Sequence, residues 1–402
     1  MKKVLIIFIL WFAVLHGQVA IKSLKTYTSR SETELPVLQM NSNNKLNIYF
    51  EVEAETQPSF NIIFKFCDAE WQPYDNNLLT EVGSTIFYNV DVQPLPFEIH
   101  GANYFVNETF PTKNIKFNVT GKWMFFITDK FDDNLIYDYG KFFVVGNKVK
   151  LNFEIDEKRR EGSISDNNAR DRVINFEVNF AIPYFLDPFR IEHIEIIKNN
   201  ELNNPIILDK DVYSQNRAFR WDAGKYFSFI IKDVEPGSEY RQIDTRSENR
   251  YPFPKTKARF SGIEYSEFYK QNKKDLNGGF LLMDNKNIEA DYLETKFEFK
   301  PHKEIKNDIF IVGSFTNWEV LPRFKLKKRN DIYTINIELK RGKYDYQYVT
   351  GNIKDEKVVN IDWRIFEGNF WDTENIYSIF LFYKSPINGE YDEIIGYKQI
   401  VR

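Results

Sequence analysis

Asn114-Ile-Lys-Phe-Asn-Val-Thr-Gly-Lys-Trp-Met-Phe-Phe-Ile-Thr128 sets the fold class. Ile115, Phe117 and Val119 alternate with polar residues, the period of two that sends successive side chains to opposite faces of a strand. Trp123, Phe125 and Ile127 resume the alternation after Gly121-Lys122, so a tight hairpin is expected there, with glycine supplying the positive φ that such turns use. Working outward, Asn47-Ile-Tyr-Phe-Glu-Val-Glu53, Asn61-Ile-Ile-Phe-Lys-Phe66 and Tyr139-Gly-Lys-Phe-Phe-Val-Val145 carry the same grammar in β-branched and aromatic residues. About seven short strands in this stretch fit an immunoglobulin-like β-sandwich.

The pattern then recurs. Val173-Ile-Asn-Phe-Glu-Val-Asn-Phe180, Ile191-Glu-His-Ile-Glu-Ile-Ile197 and Tyr226-Phe-Ser-Phe-Ile-Ile231 read as strands of a second unit. It follows a polar, charged stretch, 152–172, that reads as a linker or an exposed long hairpin. Tyr292-Leu-Glu-Thr-Lys-Phe-Glu-Phe299, Asp308-Ile-Phe-Ile-Val312, Tyr333-Thr-Ile-Asn-Ile-Glu-Leu339 and Tyr344-Asp-Tyr-Gln-Tyr-Val349 open a third, expected to run to a last strand at 393–401. Helical periodicity is scarce. The expected architecture is all-β: three consecutive immunoglobulin-like or early-set β-sandwiches after a cleaved signal peptide. The divisions are expected at 1–17, 18–149, 150–262 and 263–402.

The signal peptide rests on Lys2 and Lys3 followed by an apolar run from Val4 to Leu15. That run is well short of the roughly 20 residues that span a bilayer, so cleavage near Gln18 and no membrane insertion are expected. Export permits disulfides, yet Cys67 stands alone among 402 residues and has no intramolecular partner. Stability must come from burial, which 37 Phe and 23 Tyr can supply. With 54 basic and 58 acidic side chains the formal net charge is −4, spread without blocks, which gives no support to a nucleic-acid partner.

The inventory also argues against catalysis. His100, His193 and His302 fall in different units, and none has another His or Cys at ligand spacing. Cys67 follows an apolar run and reads as a buried, inert thiol. No catalytic residue, cofactor or metal is expected. A binding hypothesis arises at Asp308-Ile-Phe-Ile-Val-Gly-Ser-Phe-Thr-Asn-Trp318 with Arg341-Gly-Lys-Tyr-Asp-Tyr-Gln-Tyr348. These segments resemble glycogen-binding β-sandwich modules, which stack sugar rings on exposed tryptophans. Trp318 and Trp363 would be the stacking residues, and a secreted or surface carbohydrate-binding cargo protein is the alternative function.

A second resemblance covers nearly the whole mature chain. Phe64-Lys-Phe-Cys-Asp-Ala-Glu-Trp71 with Glu81-Val-Gly83, the run ending at Gly121, Glu239-Tyr-Arg-Gln-Ile-Asp-Thr-Arg246, and Glu367-Gly-Asn-Phe-Trp-Asp-Thr-Glu-Asn-Ile-Tyr377 resemble the type IX secretion system plug proteins of Bacteroidota. The resemblance implies a non-enzymatic periplasmic protein, monomeric when free, whose partner is the outer-membrane β-barrel translocon and which closes that barrel's inner mouth. The shared positions Cys67, Asp68, Trp71, Gly121, Arg241, Asp244, Arg246, Glu367, Glu374, Asn375 and Tyr377 are expected to be structural, with Arg241 and Arg246 in buried or semi-buried ion pairs.

Overall fold

A computed structural model of the chain describes residues 19–76, 79, 85–159, 172–260, 262–266, 274–370 and 372–402. The expected signal peptide, the Glu81-Val-Gly83 block, the centre of the 152–172 stretch and Trp371 lie outside the described residues.

The first sandwich is built from β1 (Ala20–Thr28), β2 (Val37–Gln39), β3 (Leu46–Glu53), β4 (Phe60–Cys67), β5 (Ile86–Phe87), β6 (Gln93–Pro94), β7 (Tyr104–Phe110), β8 (Gly121–Asp129) and β9 (Ile136–Val145). One sheet runs β1-β3-β7-β6 and the other β2-β9-β8-β4-β5. Alternation places Leu46, Ile48, Phe50 and Val52 of β3 against Phe60, Ile62, Phe64 and Phe66 of β4 and Trp123, Phe125 and Ile127 of β8. The 114–120 segment departs from expectation. Ile115 and Phe117 enter this core as their alternation requires, but the backbone joins no ladder. Thr112 and Ile115 instead close a local turn, the Thr112 amide donating to the Ile115 carbonyl at 3.0 Å. No hairpin forms at Gly121, which begins β8 with φ 153°. A Cβ there would lie 2.5 Å from the Phe66 ring and 3.0 Å from the Asp392 carbonyl, so close approach explains the glycine.

The second sandwich takes β10 (Leu151–Arg159), β11 (Arg172–Ala181), β12 (Ile191–Lys198), β13 (Ile206–Asp209), β14 (Arg217–Trp221) and β15 (Tyr226–Val234). β10 and β11 pair antiparallel from Leu151↔Phe180 to Arg159↔Arg172, so the described flanks of the charged stretch are partners in one long ladder. The third takes β16 (Arg241–Asp244), β17 (Lys255–Lys257), β18 (Glu264–Tyr265), β19 (Phe280–Leu282), β20 (Tyr292–Lys300), β21 (Asp308–Gly313), β22 (Lys327–Arg329), β23 (Ile332–Lys340), β24 (Gly342–Lys354) and β25 (Lys357–Asp362).

The last strands, β26 (Ile376–Ser385) and β27 (Tyr391–Val401), overturn the expected boundaries. β26 pairs with β12, matching Ile194 to Leu381 and Ile196 to Ile379, and the sheet order is β13-β12-β26-β27. The third sandwich is therefore inserted into the second. It begins at Arg241, since β16 pairs with β24, and not at residue 263; the chain after 375 returns to the middle. The physical reason is visible in β26: Ile379 and Leu381 enter the middle core while Phe380 and Phe382 face the first sandwich. A strand covered on both faces reads as a continuous apolar run that does not announce its partner.

Candidate functional site

Among the described residues, no three or more His, Cys, Asp or Glu side chains are placed to hold a metal ion. Cys67 is buried, and burial pushes its thiol up to about 12, which leaves it protonated and unreactive. His100 touches Asp291 at 3.0 Å, whereas His193 stacks on Phe382 at 4.4 Å. What the structure concentrates instead is buried charge at the junctions between sandwiches.

At the first junction Phe143 of β9 stacks on Phe380 of β26 at 4.3 Å, flanked by Val145, Phe382 and Ile394. Lys122 of β8 crosses this apolar layer to Glu195 of β12 at 2.7 Å, with both side chains almost fully buried. Asp68 prepares the setting. Its Oδ1 accepts the amides of Glu70 at 2.9 Å and Gln72 at 2.7 Å, tightening a turn in which Trp71 takes φ 66°. Trp71 then lies against Phe143, and the Lys122 ammonium sits 5.0 Å from its ring centroid. The Asp392 carboxylate of β27 accepts from the Ala69 amide at 3.1 Å and the Tyr74 hydroxyl at 2.9 Å. Thus Cys67, Asp68, Trp71 and Gly121 cluster where the first sandwich is fastened to the middle one.

The second junction joins the first sandwich to the inserted one. Lys340 and Glu51 pair there with no measurable exposure, and the Tyr292 hydroxyl donates to the other Glu51 oxygen at 2.7 Å. Around it pack Leu95, Ile99 and Ala102 against Ala290 and Tyr292. Asn200, from the loop after β12, donates to the carbonyls of Thr33 at 2.7 Å and Asn277 at 2.9 Å, so one amide ties all three sandwiches.

The third is the crossover, where the chain leaves the middle sandwich and returns. The two passing segments are stitched together: the Gly237 amide donates to Asn369 at 2.9 Å, the Phe370 amide to the Gly237 carbonyl at 2.6 Å, and the Asn375 side chain to the Pro236 carbonyl at 3.0 Å. Asn375 also accepts from Asn199 at 2.8 Å, and the Glu374 amide donates to Glu239 at 3.0 Å. Tyr377 is buried in the middle core. Next to the crossover, Arg241 pairs with Glu367 at 2.9 Å while Glu264 accepts from Tyr346 at 2.8 Å and Tyr348 at 2.6 Å. Asp244 and Arg246 pair at 2.6 Å nearer the surface, with both side chains about half exposed. Burial, then the neighbouring Asp275, raise the carboxyls of Glu239 and Asp345 each to about 7.

Trp318 is 1% exposed; its indole N–H donates to the Gly278 carbonyl at 2.7 Å and its ring lies 4.3 Å from Tyr240. It packs the fold and offers no face to a sugar. Trp363 is half-buried in the same cluster. A cleft of about 920 Å³ opens between the three sandwiches, lined from β1, β9, Asn200–Asn203 and the 314–323 turn; within its lining Lys22 pairs with Glu338 at 2.7 Å and Lys25 with Glu32 at 3.0 Å. Sequence reading missed Lys122, Glu195, Glu51, Lys340 and Asn200, because a charged residue in an alternating strand signals an outward face and not what covers it.

These features define a multi-sandwich body whose charged groups fasten its parts together. Residues 21–146 match the family described as "Type 9 secretion system plug protein 1st domain", and the chain carries that domain as its first sandwich. The match ties the protein to type IX secretion and points to a structural role in the cell envelope. The crystal structure of a hypothetical protein from Parabacteroides merdae ATCC 43184 is similar in fold, with a TM-score of 0.77 at 17% identity over 96% of this chain and 99% of that chain. No curated protein matches the chain. Among the described residues, no helix is long and apolar enough to cross a membrane.

Proposed function

We propose that this protein is a non-enzymatic periplasmic plug that binds and closes the periplasmic opening of the outer-membrane β-barrel translocon of the type IX secretion system. The observation that carries the reading is the plug-family match of the first sandwich. The junctions support it physically. A pore wide enough for folded cargo needs a stopper that keeps its shape, and the buried pairs Lys122–Glu195 and Glu51–Lys340 resist relative movement of the sandwiches. Release during secretion calls for an interface of modest, partly polar character, because large apolar interfaces are permanent. In this reading the signal peptide directs export, no cofactor is used, and the free protein is a monomer. A tagged full chain should co-purify with one dominant high-mass barrel protein from detergent-solubilised outer membranes. Recovery without any such partner would oppose the proposal.

A further inference from the structure

The dipeptide Asn-Gly occurs twice in the sequence, at Asn277-Gly278 and Asn388-Gly389, and both asparagines take a positive φ, 49° and 53°. It is a ready turn former, because neither residue resists the left-handed region. It is also the dipeptide in which an asparagine side chain is most easily attacked by its own backbone, since glycine has no Cβ to shield the following nitrogen. The two copies sit in opposite surroundings.

Asn277-Gly278 lies at the meeting point of the three sandwiches, where Asn200 donates to Thr33 and to the Asn277 carbonyl. The Asn277 amide donates to Asp275 Oδ1 at 2.7 Å, and the Gly278 amide to Asp345 Oδ2 at 3.0 Å. The Gly278 carbonyl accepts from the buried Trp318 indole at 2.7 Å. A Cβ on Gly278 would stand 2.9 Å from that same indole nitrogen, so the peptide is packed hard against the ring. Turning it over would break these bonds and disturb the seat of Trp318.

Asn388-Gly389 is the tip of the connection between β26 and β27, and residues 386–390 are all exposed. With φ 53° and ψ 38° at Asn388 and φ 90° at Gly389, it forms a type I′ turn, closed by the Glu390 amide on the Ile387 carbonyl at 3.3 Å. The Asn76 side chain of the first sandwich donates to the Asn388 carbonyl at 2.6 Å. Attack of the Gly389 nitrogen on the Asn388 side chain requires ψ to swing far from 38°, so the reaction proceeds from an opened turn. An exposed tip opens at much lower cost than a packed junction, because less buried contact is lost.

We propose that Asn388 is a site of spontaneous covalent modification, converting to aspartate and isoaspartate, and that the fold protects Asn277 from the same change. The Gly389 nitrogen bonds to Asn388 Cγ, the Cγ–Nδ2 bond breaks, and ammonia leaves with the proton that the Gly389 nitrogen gives up. Water then opens the cyclic imide at either carbonyl. One opening yields aspartate; the other carries the main chain through Cγ and frees the carbonyl that Asn76 holds as a carboxylate. Both products place a new negative charge beside Glu390, the partner of Arg190 at 2.9 Å.

The test holds the full-length protein at mildly alkaline pH, where the Gly389 nitrogen loses its proton more readily. Trypsin then separates the two asparagines into peptides 275–286 and 385–398. Fragmentation should place the mass gain of an amide-to-acid exchange at Asn388 at least about tenfold faster than at Asn277. In urea, where only the dipeptide matters, the two should convert at similar rates. Asn388→Gln should leave peptide 385–398 unchanged, because its larger ring closes far more slowly. Conversion of Asn277 as fast as Asn388 in the folded chain would overturn the proposal. So would an Asn388 that stays intact in the folded chain while converting in urea.

Discussion

Lys122 of the first sandwich and Glu195 of the middle one meet at 2.7 Å, and neither side chain reaches solvent. A buried pair of this kind adds little net stability over apolar residues of the same shape, but loss of one partner leaves an uncompensated charge in a low-dielectric layer. Its effect is to make one docking of the two sheets far better than any displaced one.

Lys122→Met should lower stability by about 3–5 kcal/mol in urea titrations of the first transition. Lys122→Met combined with Glu195→Leu should recover most of that loss. A double variant as unstable as the single would show that Lys122 matters through other contacts.

Deletion of residues 376–402 should disrupt the middle sandwich and not trim the inserted one, because β26 is an interior strand of the order β13-β12-β26-β27. Limited proteolysis of the truncated chain would then cut within 150–234 first. Protection of that region would contradict the topology.

Glu239 and Asp345 release protons near pH 7 in the folded chain, whereas the unfolded values lie near about 4. Between about pH 4 and 7 the folded state thus holds more protons than the unfolded one, and stability due to these groups falls as pH rises through that window. Glu239→Gln should flatten the decline, raising the melting temperature at about pH 8 relative to the parent while changing little at about pH 4. An equal shift at both pH values would place the effect elsewhere.

Trp318→Ala should cost about 3–5 kcal/mol, as large-to-small changes in a packed core do. Soluble glucan should leave the tryptophan fluorescence of the parent unchanged, since the indole is covered by Tyr240 and bonded to Gly278. A saturable change abolished in the variant would restore a sugar site.

The all-β class was legible because the sequence from Leu46 to Glu53 alternates apolar and polar residues and Phe60 to Cys67 is short, apolar and rich in β-branched and aromatic residues. The insertion was not legible, because pairing of Ile194 with Leu381 links residues far apart in the chain and strand grammar specifies faces, not partners. Phe380 and Phe382 held the missed signal. A strand apolar on both faces must be covered on both, and that cover makes Lys122 and Glu195 buried groups where alternation alone suggests solvent. The loop at 114–120 shows the converse, since alternating residues can fill a core edge without joining a sheet.

The most direct measurement is outer-membrane permeability in a strain lacking this protein, read as sensitivity to a large antibiotic that the intact membrane excludes. The account predicts marked sensitisation, reversed by the native chain. Unchanged sensitivity, in cells whose translocon is present at normal levels, would contradict it.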